Sequence, residues 1–225
     1  MKEDTQKNVP QKGLKSKRRT LLTASLFFFA TSFIGWLFET LVCLIVDRKF
    51  SDRGFLILPF CPVYGLPITL SYLFIGTPKE GIVANLINKI PARTKEGERW
   101  RFVGTCMAYF LLASAIATLF ELLAGILLNF VNAPMWNYGS FPLNYKGYVC
   151  FSISFAWGVL LTISALTFLK PLFSALSRLN KRAALILTVL LWTFFLADVI
   201  FNFYYVETKQ KRYELIFAFL HILKI

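Results

Sequence analysis

Glu39 and Glu121 are the residues best placed to do chemistry. Glu39 stands in Phe-Ile-Gly-Trp-Leu-Phe-Glu-Thr-Leu-Val-Cys, and Glu121 in Ala-Thr-Leu-Phe-Glu-Leu-Leu-Ala-Gly-Ile-Leu. A carboxylate in so apolar a run costs several kcal/mol unless it faces the protein interior, pairs, or is protonated. Small residues mark the face each occupies. Gly35, Glu39 and Cys43 are four apart, as are Ala113, Ala117, Glu121 and Gly125. That spacing stacks them on one helix face and lets a second helix approach closely. Asp198, Asn202 and Tyr205 repeat the pattern as a polar stripe at i, i+4 and i+7. Such groups either bind a ligand, ion or proton inside the membrane or hydrogen-bond two helices together.

Two connecting segments add candidates. Asp52-Arg53-Gly54-Phe55 precedes Pro59-Phe60-Cys61-Pro62-Val63-Tyr64-Gly65. Arg53 suits a carboxylate or an anionic ligand, or else snorkels to the headgroups, where Tyr64 would also sit. The second segment holds Trp136, Asn137, Tyr138 and Asn144, which could line a site or form an interfacial aromatic belt. Other chemistries lack their residues. His221 is the only histidine, and Cys43, Cys61, Cys106 and Cys150 form no CxxC pair. No catalytic residue, metal site or cofactor is therefore assigned.

The elements that must position these residues are membrane spans. Hydrophobic residues make up 56% of the 225, and charged residues only 16%. That is below the roughly 25% charged content of a soluble domain. The expected fold is an all-α integral membrane protein with about five transmembrane helices in one bundle. The spans fall at about 21–46, 55–76, 102–131, 148–169 and 183–206, together a transmembrane domain over 20–206. Pro59 and Pro62 predict an irregular or partly re-entrant start to the second. Residues 1–19 read as a disordered basic cytoplasmic tail, and 207–225 as an amphipathic tail whose apolar run is too short to span.

The net charge of +13 follows membrane topology, not nucleic-acid binding. Segments 1–19, 77–101 and 170–182 hold 17 Lys and Arg, against eight in 47–54, 132–147 and 207–225. The N-terminus is thus expected in the cytoplasm. Spans one, three and five then run outward, and Glu39, Glu121 and Asp198 sit at similar depths, about 22–29 Å from the inner side at 1.5 Å per residue. The expectation is one chamber open to the outside. Leu37-Phe38-Glu39 and Leu119-Phe120-Glu121 also suggest an internal parallel repeat.

The same residues resemble the CmpB-like, "type IV" family of small bacterial ABC-transporter permeases. Gly35, Trp36 and Glu39 match its first element. Arg53, Gly54, Phe55 and Leu56 match the second, with Asp52 in place of Asn. Pro59, Pro62, Tyr64 and Gly65 match the third, with Leu58 in place of Gly. Phe120, Glu121, Trp136 and Tyr138 are similar to a later element, where Asn137 and Gly139 replace an acid and a Ser. Asp198 resembles its late acidic position. The resemblance implies a multi-pass protein of the bacterial cytoplasmic membrane, a permease subunit working with a separate ATPase. The chain has no phosphate-binding Gly-x-x-x-x-Gly-Lys loop. The basic segment 77–101 would dock that ATPase, and five spans suggest a homodimer. The alternatives are an intramembrane enzyme or lipid-handling protein using Glu39, Glu121 and Arg53, and a non-catalytic assembly or sensor partner.

Overall fold

The computed structural model describes residues 9–46, 48, 54–91 and 94–209, with side chains from Arg19 onward except Val46. Asp52, Arg53 and the expected amphipathic tail beyond Lys209 lie outside the described residues. Seven helices and one short hairpin make up the described chain: α1 Val9–Val46, α2 Pro62–Leu70 continuing as a π-helical turn Ser71–Ile75, α3 Ile82–Ile87, α4 Lys95–Phe130, β1 Asn144–Tyr145 paired with β2 Val149–Cys150, α5 Phe151–Thr167, α6 Leu169–Ser177 and α7 Lys181–Lys209.

The apolar runs of α1, α4 and α7 are each long enough to cross a bilayer. The other two expected spans are modified. Residues 54–61 are not helical, and the apolar helix begins only at Pro62. Pro62 lacks the backbone N–H that a first helical turn does not need, so it starts the helix well. The helix from Pro62 to Ile75 is about 21 Å long, short of the roughly 30 Å hydrocarbon core. The fourth span is bent by 53° between α5 and α6. Pro171 explains the break: it cannot donate to the carbonyl of Thr167, and its ring crowds that turn. Among the described residues the count is therefore three continuous spans, or four with the bent pair taken as one. At the other end, α1 reaches back to Val9, into the stretch expected to be a disordered tail. Lys, Gln, Leu and Arg there are good helix formers and extend a helix already nucleated by the apolar run.

Local signals set the ends of α4. The Thr94 side chain accepts the Gly97 N–H at 3.1 Å, and Glu96 and Glu98 sit in the first turn. Both features suit the unpaired N–H groups of a helix start. At the other end Asn132 takes φ +57° and Ala133 N–H bonds Leu128 O at 2.8 Å, turning the chain back.

Two antiparallel pairs, α1 with α2 and α4 with α5, form the framework, and α2 also packs on α4. Phe27, Tyr109, Ala113 and Leu169 are fully buried where they meet α6. Helix α7 packs on α1 through Trp192 and Phe195 against Phe28 and Phe29. Most of its other apolar side chains are exposed, as expected of a lipid-facing surface.

Close approach of α1 and α2 depends on Gly65. A Cβ there would lie 1.9 Å from Ser32 Oγ and 2.9 Å from the Phe28 carbonyl. Gly104 on α4 has nothing within 4 Å of the same point. Gly65→Ala should therefore destabilise the detergent-solubilised protein by about 1–3 kcal/mol. Gly104→Ala should be neutral or stabilising by up to about 1 kcal/mol. Thermal melts of the two variants check this, and equal shifts would refute the packing argument.

Candidate functional site

Glu39 and Glu121 meet in one cavity of about 290 Å³ between the two helix pairs. The chain reaches it by two parallel routes. On α1, Gly35 lies one turn before Glu39, and the Tyr64 ring fills the space a side chain would take, 2.5 Å from an added Cβ. Tyr64 can then donate its hydroxyl to Glu39 Oε2 at 2.7 Å, with the Cys61 thiol at 3.9 Å from the same oxygen. Cys61 is itself held by its N–H to Ser32 O at 3.1 Å.

On α4, Glu121 belongs to a buried stripe of Tyr109, Ala113, Ala117, Glu121 and Gly125. Tyr138 donates its hydroxyl to Glu121 Oε1 at 2.9 Å. The loop that brings Tyr138 there is built by its own polar groups. Trp136 Nε1 donates to Tyr148 O at 2.8 Å, and Tyr138 N–H to Gly147 O at 2.8 Å. Asn137 Oδ1 accepts the Gly139 N–H, and Asn144 bonds both Phe141 O and the Gly147 N–H. Asn137 and Asn144 are exposed and shape the loop; Trp136 and Tyr138 reach the cavity. Burial pushes the Tyr138 phenol well above its ordinary pKa, and the Glu121 charge adds to this. It remains a proton donor throughout the physiological range.

Glu121 is only 6% exposed, and its Oε2 has no hydrogen-bond partner. The Trp157 indole N–H makes a further polar contact with this carboxylate. Trp157, Leu161, Ser164 and Phe168 all line the cavity at helical spacing along α5 and its end. The sequence reading missed this face. Its signal is an i, i+4, i+7, i+11 stripe carrying the only indole of that run.

The structure does not bring Asp198 to the cavity. Its carboxylate accepts the N–H groups of Ile57 at 3.1 Å and Leu58 at 2.8 Å, and Asn202 Nδ2 at 2.7 Å. Residues 54–61 have no helix to satisfy these amides, so α7 supplies an acceptor. The chamber shared by three acids thus resolves into two carboxylates in a cavity and one serving backbone. Trp36 stacks on Phe33 and lies near Gly54, outside the cavity lining. Arg53 is outside the described residues.

Long apolar helices around a cavity holding two carboxylates define a multi-pass helical membrane protein. The chain belongs to the family described as "Putative ABC-transporter type IV", whose model matches residues 26–203. No curated protein and no solved structure matches it.

The Asp198 arrangement has a direct consequence. Asp198→Ala leaves two backbone donors without an acceptor, which should destabilise the protein by about 1–3 kcal/mol. Asp198→Asn, which keeps one acceptor oxygen, should lose less. Melting temperatures and hydrogen exchange at the Leu58 amide test this. Unchanged protection at Leu58 in the Ala variant would contradict it.

Proposed function

We propose that the chain is the permease subunit of an ABC-type transporter and that the Glu39–Glu121 cavity is its substrate-handling site. The observation that carries this reading is the convergence of two carboxylates, a buried Glu121 and a half-buried Glu39, from different spans on one cavity. Ionisable groups held inside a membrane protein mark substrate or ion pathways by default. A purely structural pair would be expected to satisfy its oxygens, yet Glu121 Oε2 is left over. Membership of an ABC-transporter family supports the same assignment.

The remaining parts follow from the sequence. ATP hydrolysis belongs to a partner, since the chain carries no phosphate-binding loop. Its docking surface is the basic segment 77–101, where Lys89, Ile90 and Trp100 are exposed around α3 and the start of α4. The charge distribution supports a cytoplasmic position for this segment, with the cavity toward the outer side. Two copies of the chain would complete a pore.

The test uses Glu39→Gln and Glu121→Gln in the producing cell. Both variants should reach normal levels and keep their partner ATPase through mild detergent, while transport falls by at least about tenfold, as expected for loss of a charged contact. A partner-free wild-type chain would overturn the permease assignment. Full transport in both variants would remove the cavity from it.

A further inference from the structure

The wall of this cavity has an uneven stock of polar groups. Four of the five side-chain donors on it among the described residues are hydrogen-bonded to protein acceptors. Tyr64 gives its proton to Glu39 and Tyr138 to Glu121. Trp136 donates to Tyr148 O, and Ser164 to Leu160 O at 2.7 Å. The fifth, Trp157, shares the wall with Glu121 and acts on its carboxylate. What the wall leaves for a ligand is therefore mainly acceptors and ring faces. Glu121 Oε2, buried and unpartnered, is the strongest of them. Tyr64 and Trp157 pack with ring centroids 4.7 Å apart beside it. No Lys or Arg lines the cavity among the described residues.

An anion entering this space would meet carboxylates and the negative faces of aromatic rings. A cation would meet the same groups favourably, through charge–charge and cation–π attraction strengthened by the mostly apolar wall. A bare metal ion fits poorly. Divalent cations such as calcium take six or more oxygen ligands, and most of this wall is carbon. The volume lies near the lower end of small-molecule sites, about 300 Å³, and suits a ligand of roughly one ring plus a charged head.

We infer that the cavity takes a small organic cation, an amine or quaternary ammonium with an apolar body, whose charged head sits against Glu121 between the Tyr138 and Trp157 rings. This rests on reading the Glu39–Glu121 cavity as a ligand site. The apolar body lies along Leu161 and Phe168 of the bent span.

Benzyltrimethylammonium and phenylmethanesulfonate are probes of similar size and opposite charge. Each is titrated calorimetrically into the full chain in phosphatidylcholine nanodiscs, whose zwitterionic lipid adds no net charge. The ammonium should bind saturably and the sulfonate should not. Glu121→Gln should weaken the ammonium at least about tenfold, and Trp157→Leu should weaken it about threefold or more. The second variant, with the two-probe comparison on unaltered protein, decides the matter should Glu121→Gln fail to fold. Sulfonate binding as tight as the ammonium, equal ammonium affinity in folded variants, or saturation by neither probe would each overturn the inference. The two readings fail separately. A chain that binds the ammonium but no ATPase refutes the permease and keeps the ligand class. A chain that keeps its ATPase but ignores the ammonium does the reverse.

Discussion

A carboxylate within the apolar interior must find donors, and the architecture is arranged around that requirement. Glu39 takes a phenol from α2, Glu121 takes a phenol from the loop after α4, and Asp198 takes two backbone amides. Each interaction ties together segments that apolar packing alone would let slide, because lipid tails solvate a helix about as well as another helix does. The Tyr64–Glu39 bond fixes the register of α1 and α2, where Gly35 and Gly65 have removed the side chains that would separate them. The Asp198 bonds attach α7, whose surface is otherwise largely exposed, to the non-helical segment 54–61. Positioning is therefore polar, while the volume between the helices is apolar.

Much of this was legible in the sequence, and the reasons differ by residue. The apolar runs showed the helices, and the four-residue spacing of Gly35, Glu39 and Cys43 and of Ala113, Ala117, Glu121 and Gly125 showed which faces turn inward. Glu39 and Glu121 do line one space. Depth along a helix, however, carries no azimuth. By residue count Asp198 is expected at a similar level, but α7 approaches α1 and presents its acid to residues 57 and 58. The break at Phe168 depended on one proline, whose effect a hydropathy count over 148–169 cannot register because Pro171 lies just past it. Asn137 and Asn144 looked like ligand groups because of their type. Their bonds are local, made to loop backbone two to five residues away.

The repeat implied by two Leu-Phe-Glu segments has a structural counterpart in the pairing of each Glu with a Tyr supplied by the segment after its own helix. The two copies do so with unequal stiffness. Tyr64 stands on the first turn of α2, backed by helix contacts so close that a single methyl at Gly65 would collide with backbone. Tyr138 stands on an irregular loop whose residues 139–146 are exposed. Segments with few buried contacts and solvent-exposed hydrogen bonds open at the lowest free energy. Moving Tyr138 exposes Glu121, whose second oxygen already lacks a partner, whereas moving Tyr64 requires parting α1 from α2. The Tyr138 side of the cavity wall is thus the more easily displaced.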